Sequence, residues 1–493
     1  MTHEKPSASV FKVKKLTGRW WIPGNDRCCY GTLTFDISGE QHLKIIGYLE
    51  GQYPGNLQEY TVLYGYCQMN QKIYCVTLFH ARYTYLSGPL TSGEAIGENT
   101  IGFQDVWIGT RFYEKQEDVK FASFSFGIHN LENWHDERTV FSSDIEMVPT
   151  VTAKATMILP PDVNLYEDEK VIIGITYIYR GPGMSEGQLE ISMGYCPIIS
   201  ISSQNGLLPY YGEEASFEYY WYCVYKFFEL LLDGYTYFFD LQGFGIIPEI
   251  KIQQERMELI FSHSITPKQS KNISPHQVLI PYKKIKEVLS CTFCNFMKHQ
   301  KNIDAILENL FIYTTTNRYH NNPLPSLLFT LEGLQQVFYK RFGKSRSEEN
   351  YKEHEVFDAN KKKIKSHCPK ELHSFINKTI RWQCPFVKRL SRMIQEYRDT
   401  FPFISDDICE KLSKELKEIR NQYAHCDYRN KVSWDVIFRL TRFLEYLHYA
   451  IILHKAEVPQ ETIKSCFERP YSCDYKRIEE FVLSRYASKG EKK

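Results

Sequence analysis

The sequence predicts an α+β protein with several domains, in which an antiparallel β-rich, sandwich-like module is followed by an all-α helical bundle. Its 493 residues exceed the ~250–300 residues at which a single hydrophobic core stops growing. Short β-prone runs fill the first half, and longer runs with a helical period fill the second. The hydrophobic content of 43% is typical of a folded globular protein, so two folded parts are expected.

The β-rich module is predicted over residues 10–265, after a polar and flexible N-terminus at residues 1–9. Its candidate strands are residues 31–37, 42–48, 59–66, 72–78, 101–108, 120–128, 190–194, 198–202 and 251–262. Many short strands between turns indicate an antiparallel sandwich or barrel-like module. Residues 217–232 fit either a helix or paired strands, because their many aromatic side chains obscure the period.

The helical half is predicted over residues 282–493, after a polar linker at residues 266–281 that contains prolines and no period. Its candidate helices are residues 282–298, 303–313, 324–342, 371–378, 384–397, 405–425, 434–453 and 475–486. Residues 345–370 are charged and break the helical pattern. The basic cluster of Lys361, Lys362 and Lys363 within them is either part of a solvated loop or a tether for RNA phosphates.

The helix predicted over residues 405–425 has the strongest pattern in the chain. Ser405 is a candidate N-cap, and the two acidic residues after it complement the helix dipole. The apolar residues follow one stripe at spacings of 4, 4, 3 and 4: Ile408, Leu412, Leu416, Ile419 and Tyr423. Asn421 and His425 share a helix face, and the long side chain of Arg420 reaches toward the same place.

The end of this helix suits cleavage of a phosphodiester without a metal. Arg420 offers a guanidinium that matches phosphate, and His425 offers an imidazole for proton transfer near neutral pH. RNA supplies its own nucleophile, the 2′-hydroxyl, and the expected products are a 2′,3′-cyclic phosphate and a 5′-hydroxyl. His425 is predicted to act as general acid or base, and Arg420 to stabilise the transition-state charge. Asn421 is predicted to hold the imidazole or a phosphate oxygen, while Tyr423 either orients the site or packs in the core.

The same helix carries a resemblance to a known family. Residues 417–428 (KEIRNQYAHCDY) contain the R-N-x-x-x-H form of the HEPN nuclease superfamily. Residues 327–334 (LLFTLEGL) resemble the first core helix of ApeA-type HEPN domains, and residues 385–390 (PFVKRL) fall where that family has its middle helix. Residues 16–23 (LTGRWWIP) and 31–35 (GTLTF) are similar to the β-rich module that precedes HEPN in ApeA-like anti-phage defence proteins.

The resemblance implies a toxic endoribonuclease of bacterial abortive-infection defence, inactive until infection, with tRNA as the expected target. It implies a homodimer through the HEPN domain, because two facing helices would supply two histidines and two arginines for both proton transfers. It also implies that the β-rich module senses infection, for example by binding a phage-encoded trigger. Glu332, in the segment that resembles the first core helix, is either an acid that supports Arg420 or a solvated helix residue.

The formal net charge of +1 hides a polarised chain. Residues 1–275 carry 21 Lys and Arg against 32 Asp and Glu, while residues 276–493 carry 39 against 27. A basic helical half is expected of a nucleic-acid binder, although two folded domains that cancel each other's charge would show the same imbalance. The aromatic content of 15% indicates packed sheet faces for most rings and leaves base stacking open for others.

The fourteen cysteines predict reduced thiols and no cofactor. Cys291 and Cys294 form the only CxxC, and no second pair has regular zinc spacing, which leaves metal binding by these two residues open. The N-terminus lacks an apolar signal segment, and no apolar run approaches the ~20 residues that span a bilayer. The expected location is the cytoplasm, with no membrane partner.

Two other functional classes remain open from the sequence. A non-catalytic RNA-binding regulatory protein would use the basic helical half, and the lysine cluster would then matter more than His425. A zinc- or nucleotide-dependent enzyme is disfavoured, because the ligand spacings and the GxxxxGK[ST] and GxGxxG sequences are missing. Arg442 and His448 form another Arg–His pair, but no Asn follows this Arg and the spacing separates the two side chains.

Overall fold

The protein divides into two compact units. Unit 1 comprises Met1–Glu229 and Tyr235–Ile273, and unit 2 comprises Leu230–Gly234 and Ser274–Lys493. The structure is a computed structural model that describes residues 14–35, 41–50, 59–69, 72–87, 97–135, 140–147, 151–158, 160–184, 191–212, 214–234, 236, 238–246, 254–261, 273–315, 324, 327, 328, 330, 331, 348–379, 386–424, 432–469 and 473–487.

Unit 1 is built mainly from antiparallel strands. They are β1 (Lys14–Trp21), β2 (Cys29–Phe35), β3 (Gln41–Ile46), β4 (Glu59–Met69), β5 (Lys72–Tyr85), β6 (Glu98–Gly102), β7 (Asp105–Gly109), β8 (Lys120–Phe121), β9 (Ser123–Ile128), β10 (Val140–Met147), β11 (Val151–Ile158), β12 (Val163–Glu167), β13 (Val171–Met184), β14 (Ile191–Ser203), β15 (Leu208–Pro209), β16 (Phe238–Ile246) and β17 (Gln254–Phe261). Two helices, α1 (Leu131–His135) and α2 (Phe217–Leu231), and a 3-10 turn at Gln116–Asp118 lie between them.

Six of these strands close into a barrel. The pairing runs β1–β2–β3–β6–β5–β4 and returns to β1, and every pair is antiparallel. The remaining strands of the sheet continue from β5 through β7, β17, β16, β9, β14 and β13 to β12. The predicted antiparallel β-rich module is therefore confirmed, and closure removes the exposed edges that an open sheet of these strands would leave.

The barrel core follows from alternation along the strands. In β1, Leu16 and Trp20 are fully buried while Arg19 between them is exposed. Trp20 leaves no room for a neighbouring side chain, because a Cβ at Gly65 would lie 2.5 Å from its ring. Other aromatic residues of unit 1 are buried as well: the ring centres of Trp107 and Tyr210, for example, lie 4.9 Å apart. The prediction that most rings pack on sheet faces is corrected, because the buried aromatic residues of the described chain lie on helices and loops more often than on strands; Phe217 and Phe227 on α2 are examples.

Helix α2 resolves the ambiguity at residues 217–232 in favour of a helix. Ser216 caps it by accepting a hydrogen bond from the backbone N–H of Tyr219 at 3.1 Å. Apolar residues are buried around much of its circumference, which explains why no single apolar stripe could be read from the sequence. Lys226 and Glu229 form a buried ion pair at 3.1 Å on this helix.

Unit 2 is helical. Its helices are α3 (Tyr282–Ile285), α4 (Leu289–Thr315), α5 (Glu348–Ser366), α6 (His373–Thr379), α7 (Phe386–Glu396), α8 (Asp406–Ala424), α9 (Trp434–Lys455), α10 (Gln460–Phe467) and α11 (Cys473–Tyr486), with 3-10 turns at Lys286–Val288 and Lys370–Leu372. The described residues between 324 and 331 are also helical. A helical second half is confirmed.

Helix α5 corrects the prediction that residues 345–370 break the helical pattern. The helix is charged throughout, and both Val356 and Ile364 are exposed, so no apolar stripe marks it. Lys, Glu and Ala favour helices without burial, and apolar periodicity detects burial rather than helicity. The lysine cluster therefore lies in a helix and not in a solvated loop.

Other element boundaries differ from the sequence prediction in instructive ways. Helix α4 runs unbroken through the polar residues 299–302 that separated two predicted helices, because they include neither Gly nor Pro. The predicted elements did not include strands β1, β10 to β13, β15 and β16 or helices α1 and α10. Residues 1–9, predicted to be a flexible N-terminus, and residues 266–272 of the predicted linker lie outside the described part of the chain. Val278 and Ile280 in the same predicted linker are buried.

Candidate active site

Helix α8 begins as its sequence predicts. The side-chain oxygen of Ser405 accepts a hydrogen bond from the backbone N–H of Ile408 at 3.4 Å, and its carbonyl accepts the N–H of Cys409 at 2.8 Å. Asp407 in the first turn pairs with Lys411 at 2.5 Å, an i,i+4 pair that supports the helix. The cap fixes where the helix starts, and so sets which residues lie on its buried face.

The predicted apolar stripe anchors the helix. Ile408, Leu412, Leu416 and Ile419 are each at most 2% exposed. Tyr423, the last residue of the stripe, is half-buried. At the other edge of the helix, Glu415 accepts two hydrogen bonds from the Arg485 guanidinium, at 2.6 and 2.9 Å. Burial alone would raise the pKa of Glu415, but the hydrogen bonds from Arg485 and Tyr486 lower it below its usual value.

Helix α7 packs against α8 in the antiparallel direction. Gln395, near the end of α7, donates to Asp406 at the start of α8 at 3.1 Å, and Ser391 donates to Ser413 at 3.0 Å. At the opposite end, the ring of Phe386 contacts the guanidinium of Arg420. The N-terminal end of α7 therefore lies beside the C-terminal end of α8, where the predicted site residues begin.

Two guanidinium groups share one ring at this junction. The guanidinium carbon of Arg420 lies 5.3 Å from the ring centre of Phe386, and that of Arg389 lies 5.9 Å from it. Arg420 also donates from Nη1 to the side-chain oxygen of Asn421, at 3.5 Å. Arg420, Asn421 and Arg389 are all half-buried, and the Nε atoms of both arginines are buried. The structure thus brings Arg420 and Asn421 together and adds two residues that were not predicted.

The other predicted site residues are placed as follows. His425 and Glu332 lie outside the described residues. Lys362 and Lys363 are exposed on α5, and Lys361 is half-buried there. Consecutive residues of a helix point in directions about 100° apart, so these three lysines do not converge on one ligand group.

No metal centre is found within the described ranges, where no group of three or more His, Cys, Asp or Glu is arranged to hold an ion. Cys291 is exposed and lies 3.6 Å from Glu457, and burial raises the pKa of the Cys294 thiol. A raised thiol pKa disfavours the thiolate that zinc requires. The prediction of reduced thiols without a bound metal at this pair stays a prediction.

The second Arg–His pair of the helical half has a structural role. His448 is fully buried in α9, where its Nδ1 donates to the Leu444 carbonyl at 2.6 Å and its Nε2 lies 2.9 Å from the Thr330 hydroxyl. Burial lowers the pKa of His448 to about 4, so this ring stays neutral near pH 7. Arg442 on the same helix binds Glu445 and Asp474 instead.

Comparison with known families decides the identity. The family ApeA N-terminal domain 1 matches residues 15–293, more than half of the chain, and the family Apea-like HEPN matches residues 331–462. The chain belongs to the ApeA-like HEPN family. This family is one of anti-phage HEPN nucleases, and HEPN domains generally have ribonuclease activity, bind RNA and dimerise. No curated protein and no solved structure matches the chain.

The ApeA-like HEPN match covers helices α7 and α8 completely, and therefore the junction of Phe386, Arg389 and Arg420. Sequence reasoning missed Phe386 and Arg389 as site residues, although it placed residues 385–390 at the middle helix of the family. An arginine one turn after the first aromatic residue of α7 was the available signal, but pairing it with Arg420 required the register between α7 and α8.

None of the described helices combines the length and apolar character needed to cross a bilayer.

Proposed function

We propose that this ApeA-like HEPN protein is a metal-independent endoribonuclease of bacterial anti-phage defence. The observation that carries the proposal is the half-buried guanidinium of Arg420, held against Phe386 and Asn421 at the end of α8. A partly desolvated, oriented guanidinium stabilises developing phosphorane charge better than an exposed one, because the surrounding dielectric is lower. In the sequence, His425 follows Ala424, the last residue of α8 that the structure describes.

The reaction needs only groups of the protein and the RNA. The 2′-hydroxyl oxygen attacks the adjacent phosphorus as His425 takes its proton, and the bond from phosphorus to the 5′-oxygen breaks. A second histidine, from another copy of the chain in a homodimer, protonates the leaving 5′-oxygen. Arg420 stabilises the charge on the non-bridging oxygens, and Asn421 orients the imidazole or a phosphate oxygen. The products are a 2′,3′-cyclic phosphate end and a 5′-hydroxyl end.

The rest of the biological role is proposed with it. The protein acts in the cytoplasm, its target is tRNA, and the β-rich unit holds the nuclease inactive until a phage-encoded trigger binds. Support comes from the family membership and from the opposite charges of the two halves, net −11 for residues 1–275 and net +12 for residues 276–493. A basic helical half attracts RNA, which favours the nuclease in this half.

Purified protein should cleave RNA in excess EDTA and leave 2′,3′-cyclic phosphate and 5′-hydroxyl ends. The matched control is the same oligonucleotide with a single 2′-deoxyribose at the mapped cleavage position, which should resist cleavage there because it lacks the nucleophile. Mass spectrometry of the products reads both ends. Loss of cleavage in EDTA, cleavage of the deoxy substrate at that position, or 5′-phosphate ends would refute the proposed mechanism.

A further inference from the structure

Arg389 carries a charge for which the described residues supply no acidic partner. Within the part of the chain that the structure describes, no carboxylate forms an ion pair with Arg389, and its buried Nε has no hydrogen-bond acceptor. Its contact with the Phe386 ring stabilises a guanidinium by only about 0.5–1 kcal/mol at a partly exposed site. A half-buried cation therefore lies at the junction of α7 and α8, and one of its donors has no acceptor among the residues that the structure describes.

A second cation lies against the same ring. Arg420 comes from α8 and contacts Phe386 at 5.3 Å, so the antiparallel packing of the two helices brings like charges together. Each guanidinium attracts an anion, so a group with negative charge on two sides can contact both cations at once.

We propose that Arg389 and Arg420 form a two-cation site that binds adjacent phosphates of one RNA strand. Arg420 takes the phosphate that is cleaved, and Arg389 takes its neighbour, with the Phe386 ring holding the two planar groups in place. The inference rests on the proposed ribonuclease function and assigns Arg389 to substrate binding. Arg389 thus determines how tightly RNA is held, while Arg420 determines how fast it is cleaved.

The site predicts a distinct binding signature for Arg389→Ala. In a His425→Ala background that binds RNA without cleaving it, fluorescence anisotropy with a short single-stranded RNA should show about tenfold weaker binding. The slope of log K against log salt concentration should fall by about 0.7, the value for one phosphate contact on a single strand. Arg389→Lys keeps the charge but not the planar fork, so it should keep the slope and lose only part of the affinity.

Arg398→Ala is the matched control, since it removes one positive charge beyond the other end of α7. Arg398 is paired with Asp406 at the surface, and its replacement should leave both the slope and the affinity close to those of the parent. In the cleaving protein, Arg389→Ala should raise KM about tenfold and change kcat less than threefold. Circular dichroism and the Arg389→Lys variant show whether α7 and α8 remain folded.

An unchanged salt slope for Arg389→Ala, or a fall in kcat with KM unchanged, would overturn the two-cation site. Failure of the nuclease proposal would give a different experimental result. If the wild-type protein does not cleave RNA, yet Arg389→Ala lowers the salt slope of binding, the phosphate site stands and the catalytic assignment falls. An equal loss in the Arg389→Ala and Arg398→Ala variants also counts against the site, because it indicates a general charge effect.

Discussion

Arg420→Ala should lower the rate of RNA cleavage at saturating RNA by at least about 100- to 1,000-fold, the loss typical for one preorganised donor that faces transition-state charge. The helix should survive the change, because Arg420 is half-buried and its apolar neighbour Ile419 carries the packing. Arg420→Lys keeps the charge without the planar fork and should restore only a small part of the rate. Single-turnover kinetics with labelled RNA measures the effect directly.

Lys417→Ala is the control for this variant. Lys417 is exposed on α8, one turn before Arg420, so its replacement removes the same charge without touching the Phe386 junction. Its cleavage rate should stay within about threefold of wild type, as expected for a solvated surface charge. Rates for Arg420→Ala that equal those of the Lys417→Ala protein would remove Arg420 from the catalytic site.

Arg442→Met should destabilise unit 2 by about 3–5 kcal/mol, because it leaves a carboxylate buried without its partner. The Glu445 side chain is only 3% exposed and binds Arg442, whereas Asp474, the second partner, is 34% exposed and can be solvated. Burial alone would lower the pKa of Arg442, but the charges of Glu445, Asp233 and Asp474 outweigh it and raise the pKa well above its usual value. The guanidinium is therefore charged, and its removal leaves the charge of Glu445 uncompensated.

Hydrogen exchange read by mass spectrometry on peptides from α9 and α11 measures this loss within the intact chain. The double variant Arg442→Met with Glu445→Leu should recover most of the stability, since replacing a buried pair by apolar groups is often neutral. If the amides of α9 are as well protected in Arg442→Met as in wild type, the prediction is wrong, and Glu445 has found another partner or become hydrated. If the double variant is as unstable as the single one, the loss of stability comes from packing and not from the unpaired charge.

Burial explains which parts of the fold could be predicted from sequence. The start of helix α8 was predicted within one residue, because Ser405 caps it, and its buried face was predicted because four apolar residues share one stripe. Helix α5 was missed, because a charged helix without a buried stripe has no apolar period. Closure of the barrel could not be predicted from sequence either, since it depends on the pairing of β5 with β6, and the register of these strands depends on the whole sheet.

The candidate site shows the same limit. Arg420 and Asn421 lie on one helix, so their proximity follows from local spacing alone. Arg389 lies on another helix, and its approach to the same ring depends on the antiparallel packing of α7 on α8. Sequence reasoning therefore found the residues of the motif and missed the cation beside it.

Sequencing of RNA ends that carry a 5′-hydroxyl tests the central claim most directly. Cells that produce the wild-type protein and cells that produce His425→Ala at equal levels are compared after phage infection. The account predicts new 5′-hydroxyl ends at discrete RNA positions with the wild-type protein and none with the variant. The same new ends in both cultures, or new ends that carry a 5′-phosphate, would contradict it.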